Sequence, residues 1–297
     1  METTVHPLVT AAELERELRG PRAPRLLDVR WRLDRPDGRD EHRAGHLPGA
    51  VYVDLDSELA GHGAPTDGRH PLPATADLQA AARRWGLGRG DAVVVYDDLG
   101  GLSAARAWWL LRVSGVADVR LLDGGLAAWR SAGLPVEEGD VTPVPGDVLL
   151  EPIGAGRDGL GVVDTEAAGG WPGHGALVDS RAAERFRGDV EPVDPRAGHV
   201  PGALSVPTAG NLGPDGTFLE PAALAERYRE AGVDLGGDVA VYCGSGVTAA
   251  HAALALTLAG ARPALWPGSW SAWSSDPARP VAVGDPGAPD GPAPDGP

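Results

Sequence analysis

The chain has 297 residues, 42% of them apolar, with 43 glycines, 28 prolines and a formal charge of −16. That length suits two ordinary domains, each with its own core. The acidic balance argues against a nucleic-acid or anionic-membrane binder, though one locally positive cleft can still take a small anion. Cys243 is the only cysteine, which excludes an intramolecular disulfide and any multi-cysteine metal site.

In chain order, METTVHPLVTAAELERELRG carries charges early and has no apolar run before a cleavage site. No later apolar run is long enough to span a bilayer, so a soluble cytoplasmic protein is the expectation. RLLDVR (25–30) reads as a short strand and leads to AGHLPGAVYV (44–53). PATADLQAAARRWG (73–86) and SAARAWWLLRVSG (103–115) read as helices that stop at glycine. Trp108 and Trp109 on the second of these are expected in the core or at a domain interface. VVVY (93–96) and VRLL (119–122) are compact strand candidates with acidic or glycine neighbours as turn signals. The stretch 137–161 is loose, with a proline before and a glycine after its VLL. VVDTEAAGG (162–170) predicts a weak first helix of the second half. The tail PVAVGDPGAPDGPAPDGP is too rich in Pro, Gly and Asp to pack, so disorder is expected over 284–297.

The second half repeats the first. ALVDSR (176–181), AGHVPGALSV (197–206), DVAVYCGSGVTAAHAALAL (238–256) and PALWPGSWSAW (263–273) follow in the order of RLLDVR, AGHLPGAVYV, DAVVVYDDLGGLSAARAWWLL and VRLLDGGLAAW. Short continuous apolar strands between helices predict an α/β fold, tandem domains each with a parallel sheet flanked by helices. The expected boundaries are 6–137 for the first domain, 138–283 for a linker plus the second domain, and 284–297 for the tail.

The loop CGSGVT joins the strand VAVY to a helix starting near Thr248. Gly244 and Gly246 permit backbone angles that let consecutive amides turn inward into a nest, and the helix start adds positive potential. A thiolate on Cys243, or an anion bound to its sulfur, is stabilised there. In such folds this is also the usual ligand position, beyond the carboxyl end of the sheet. A buried inert cysteine is the plain alternative. A phosphatase loop would need an arginine near its helix start, and CGSGVT has none. In the first copy Asp97 or Asp98 stands where Cys243 stands in the second.

On DVR, GHLPGA, DSR, GHVPGA, CGSGVT and GSWSAW, the chain resembles two-domain rhodanese-type sulfurtransferases, the thiosulfate/3-mercaptopyruvate sulfurtransferase family. The resemblance covers roughly residues 10–280. It implies an inactive first domain and a catalytic second one, with Cys243 carrying sulfur as a persulfide. The amides of Gly244, Ser245, Gly246, Val247 and Thr248 would hold the persulfide's charge without metal or cofactor. Gly244 and Ser245 replace the two basic residues usual in thiosulfate specialists, which points to 3-mercaptopyruvate as the small anionic donor. The acceptor would be a thiol, such as a thioredoxin-like protein, or cyanide. Arg181 matches the family's substrate-binding arginine, with Arg185 and Arg196 as further candidates. His46, with Asp40 or Asp37, is the candidate relay to Ser245, although His199 occupies the same motif in the second copy, which favours a structural part for both. Trp270 either walls the cleft or is structural, as are its neighbours Trp266 and Trp273. Transfer chemistry needs access, so Cys243 is expected to be exposed at the interdomain cleft and open to overoxidation. The competing readings are a thiosulfate sulfurtransferase proper and a non-enzymatic persulfide carrier or binding protein.

Overall fold

A computed structural model describes residues 5–154 and 160–285, which leaves all but two residues of the expected tail outside the described chain. The described chain forms two compact units. The first holds the chain as far as Gly61, then Leu72 through 154, and Leu212–Phe218. The second holds His62–Pro71, 160 to Asn211, and Leu219 onward. Each half of the sequence thus contributes one short arm to the unit built by the other half.

In the first unit, strands β1 (Leu8–Val9), β2 (Arg25–Asp28), β3 (Val51–Tyr52), β4 (Val93–Tyr96) and β5 (Val119–Leu122) form one sheet in the order β1-β5-β4-β2-β3. Every pairing is parallel, for example Leu27 beside both Val51 and Val95. The helices are α1 (Ala11–Leu18), α2 (Arg39–Arg43), α3 (Leu55–Glu58), α4 (Thr75–Arg84), α5 (Ala104–Val113) and α6 (Gly125–Ser131). α1 starts at a capping box in which Thr10 and Glu13 satisfy each other's backbone amides. α5 is buried along its whole length, as its near-continuous apolar sequence requires, and Trp108 and Trp109 lie in the core. Residues after 137 stay with this unit: the amides of Gly139, Gly146 and Glu151 donate to the carbonyls of Arg43, Arg83 and Ser114.

The second unit repeats the plan with β6 (Gly161–Val162), β7 (Ala176–Asp179), β8 (Leu204–Ser205), β9 (Val239–Tyr242) and β10 (Ala264–Leu265), in the order β6-β10-β9-β7-β8 and again all parallel. Its helices are α7 (Thr165–Gly170), α8 (Ala183–Arg187), α9 (Pro221–Glu230), α10 (Thr248–Leu258) and α11 (Ser269–Ser275). α7 is the weak helix expected from VVDTEAAGG, capped by Asp164 on the amide of Ala167. Tyr242, Phe186, Trp266, Trp270 and Trp273 form one apolar cluster on the sheet. Among the described residues, no helix is long and apolar enough to cross a membrane.

Candidate active site around Cys243

Strand β9 ends at Tyr242, and the chain turns through residues 243–247 before α10 begins at Thr248. Gly246 has φ +78°, in the left-handed region that glycine enters without strain, and its amide donates to Cys243 Sγ at 3.1 Å. The start of α10 has no side-chain cap, so the orphan amides of its first turn are left for whatever sits at the loop. α11 fixes the loop from behind. The amide of Trp270 donates to the Cys243 carbonyl at 3.0 Å, and that of Ser271 to the Gly244 carbonyl at 2.8 Å. Ser269 Oγ accepts from the Cys243 amide at 3.2 Å and donates to the Trp266 carbonyl at 2.9 Å.

The first unit shows what this backbone can hold. Its equivalent loop after β4 carries Asp97, which settles the choice between Asp97 and Asp98. The Asp97 carboxylate accepts four amides, from Leu99, Gly101, Ser103 and Ala104, at 2.8–2.9 Å. Burial pushes its carboxyl above the usual range, and the four amides pull the other way. Four amides thus converge on one carboxyl group in the nest of the first copy, at the place where the second copy offers a thiol.

Cys243 is 2% exposed, not the open thiol expected at a cleft. Ser245 is buried too, and its Oγ lies 2.8 Å from His70 Nδ1. His70 comes from the arm 62–71, which belongs to the same unit as the loop. The amide of Arg69 donates to Ser271 Oγ at 3.1 Å, which ties the arm to α11.

The imidazole within hydrogen-bond distance of Ser245 Oγ is that of His70, which motif reading did not single out. His46 lies in the first unit, with Nδ1 2.8 Å from the Leu47 carbonyl and Nε2 3.2 Å from that of Gly139. Its backbone pairs with Glu137, just as His199 pairs with Ala282 in the second unit. The rings also do similar work: His46 stacks on His42 and His199 on Phe186. Both histidines pin the turn before the next strand to the end of their own unit. Asp40 is almost fully exposed on α2 and pairs with Arg43, while Asp37 accepts from the Arg39 amide. Neither carboxylate belongs to the unit that holds Ser245.

The arginines divide differently from expectation. Arg181 is buried, with its guanidinium on both oxygens of Asp179, on Glu191 and on the Gly198 carbonyl, and with Trp270 4.6 Å beneath it. Burial works against its charge, but Asp179 outweighs this and holds its pKa above the ordinary value. Arg30 repeats the arrangement in the first unit, on Asp28 and the Gly45 carbonyl. DSR and GHVPGA are therefore two halves of one structural clip, with the Arg181 guanidinium engaged by Asp179, Glu191 and the Gly198 carbonyl. Trp270 belongs to the same packing, its indole N–H donating to the Arg196 carbonyl. Arg196 donates to the carbonyls of Trp273, Ser274, Asp276 and Arg279, which secures the end of α11. Arg185 lies at the loop. A Cβ built on Gly244 would lie 3.5 Å from Arg185 Nη1 and 3.1 Å from Nη2 of Arg69, a residue that motif reading missed. Among the described residues, no group of three or more His, Cys, Asp and Glu side chains could hold a metal.

Comparison with known proteins agrees with the duplicated plan. The family model for the rhodanese-like domain matches twice, over residues 10–132 and 165–276. A Mycobacterium tuberculosis protein with the provisional name thiosulfate sulfurtransferase SseB is 50% identical over 286 residues, 96% of this chain and 99% of that protein. Human 3-mercaptopyruvate sulfurtransferase is 36% identical, with 90% of this chain and 91% of that protein covered. The crystal structure of SseA from Escherichia coli, described as a 3-mercaptopyruvate sulfotransferase of rhodanese fold, superposes with a TM-score of 0.75 at 33% identity. That superposition covers 90% of this chain and 99% of the other.

Proposed function

Because the chain belongs to the rhodanese-like domain family and is a sulfurtransferase of the 3-mercaptopyruvate/thiosulfate type, we propose that Cys243 is its sulfur carrier and 3-mercaptopyruvate its preferred donor. The Cys243 thiolate attacks the donor sulfur. The carbon–sulfur bond breaks, its electron pair leaves as the enolate of pyruvate, and the enzyme keeps the sulfur as a persulfide. A thiol acceptor, such as a thioredoxin-like protein, or cyanide then removes the outer sulfur and restores the thiolate. The observation that carries this reading is the Gly246 amide on Cys243 Sγ at the uncapped start of α10, in the place where the carboxyl of Asp97 accepts four amides in the other copy. Such a cradle favours the anionic persulfide over the neutral thiol.

The donor assignment rests on Ser245 and His70. Their 2.8 Å contact forms a path by which a proton can reach the departing enolate. Thiosulfate needs no such path, because sulfite leaves with its charge. Arg185, on the loop at Gly244, supplies a guanidinium for the donor's carboxylate. The SseB likeness favours thiosulfate as the second reading, so both donors belong in one experiment. Intact mass after treatment with either donor should rise by one sulfur in the wild type and stay unchanged in Cys243→Ser. No rise with either donor overturns the carrier role, and a higher kcat/KM for thiosulfate overturns the donor assignment.

A further inference from the structure

Around the loop of the second unit runs a row of six charges that alternate in sign. Asp179 at the end of β7 holds Arg181 at 2.6 Å, and Arg181 meets Glu191 at 3.4 Å. Glu191 holds Arg185 at 2.6 Å, Arg185 meets Asp194 at 3.1 Å, and Asp194 holds Arg69. Three guanidiniums and three carboxylates leave the row with no net charge. Its inner members are doubly partnered, and all of them but the half-buried Arg185 have buried side chains. Arg69, at the open end, has a single carboxylate partner among the described residues, and its side chain is 29% exposed. Its Nε has no hydrogen-bond partner among the described residues, although that atom is buried. Its Nη2 lies against the loop at Gly244, beside Arg185.

Singly partnered, partly open and facing the loop beside the sulfur, Arg69 is the cation of the row that an incoming anion can engage at least cost. Asp194 limits what it offers. With Asp194 charged, the two guanidiniums at Gly244 present less positive charge than a dianion needs to be held well, while one carboxylate can still be clasped bidentately. Burial pushes the Asp194 carboxyl up, and Arg69 and Arg185 pull it back, so its charge and theirs are mutually dependent.

We propose that Arg69 is a donor-binding residue and that its partner Asp194 sets the charge of the donor, favouring a single carboxylate over a dianion. The inference rests on the sulfur-transfer reading, and sulfur uptake by Cys243 in the wild type tests that reading separately. The experiment compares KM and kcat for 3-mercaptopyruvate and thiosulfate in the wild type, Arg69→Gln, Arg69→Lys, Asp194→Asn and the double variant Arg69→Gln/Asp194→Asn, with mass and thermal melting as folding controls. Arg69→Gln should raise KM for both donors, about tenfold for the dianion and less for the monoanion, at nearly constant kcat. Arg69→Lys should recover part of that loss. Asp194→Asn should lower KM for thiosulfate about tenfold relative to 3-mercaptopyruvate. The double variant, neutral again, should return the donor ratio towards that of the wild type. A purely structural pair would instead lower kcat and melting temperature together and leave the donor ratio unmoved, which overturns the proposal. Should Asp194→Asn fail to fold, Arg69→Gln reads the same ratio in the opposite direction. An unchanged KM in folded Arg69→Gln overturns the inference while leaving the role of Cys243 untouched.

Discussion

Two hydroxyls at the Cys243 loop, on Ser245 and Ser269, differ in their hydrogen-bond partners. Ser269 Oγ is spent on backbone, between the Cys243 amide and the Trp266 carbonyl. Ser245 Oγ faces an imidazole that can take up or return a proton. Replacing Ser245 by alanine should therefore cost about 100-fold in kcat for 3-mercaptopyruvate and little for thiosulfate. Steady-state rates with both donors check this, and an equal loss with each would mean that the hydroxyl only shapes the loop. His70 illustrates how residue roles hide in sequence. His46 stands in a motif and so draws the eye, but a motif present in both copies is more simply explained by what both copies share. GHVPGA with His199 gives that answer before any coordinates. His70 and Arg69 sit in GHGAPTDGRHPLP, which has no counterpart among the repeated segments.

At the scale of elements, the strands and the long helices were legible because their patterns are local. VVVY is a continuous buried run, and the helices around 73–86 and 103–115 end just before the predicted glycines. The clip that joins DSR to GHVPGA was not legible, because it depends on which carbonyl lies across from a strand end, here that of Gly198. Burial of Cys243 escaped for the same reason: the glycines that shape a nest say nothing of how tightly it closes. The loop's dependence on Gly246 can be tested against another glycine. Gly246 has φ +78° and a Cβ there would collide with the Pro267 carbonyl, whereas Gly260 has φ +93° with nothing within 4 Å. Each alanine variant carries about 1–2 kcal/mol of backbone strain, but only Gly246→Ala should also displace the loop. We expect both variants to melt lower and Gly246→Ala alone to lose sulfur uptake by mass. Equal uptake in the two would show that the nest tolerates rearrangement.

For the whole molecule, the duplication shows twice in the sheet order and twice in the family match, yet the copies have diverged at their most sensitive point. One copy carries the carboxyl of Asp97 at the end of β4, and the other carries the thiol of Cys243 at the end of β9. The arms add a dependence that neither copy would reveal alone. Residues 62–71 follow the first GHxPGA turn but belong to the second unit, and Leu212–Phe218 follow the second turn but belong to the first, where the Phe218 amide donates to Asp123. A fragment starting at residue 138 keeps Cys243 and Ser245 but has neither His70 nor Arg69. Its turnover of 3-mercaptopyruvate should be lost, and adding the fragment 1–137 should restore part of it; full activity in the isolated fragment would rule out a part for the arm. By exchanging arms the two halves have given up their separate inheritance. A deletion of the first half would also take away residues 62–71, a stretch of chain that the second unit has taken into its own fold.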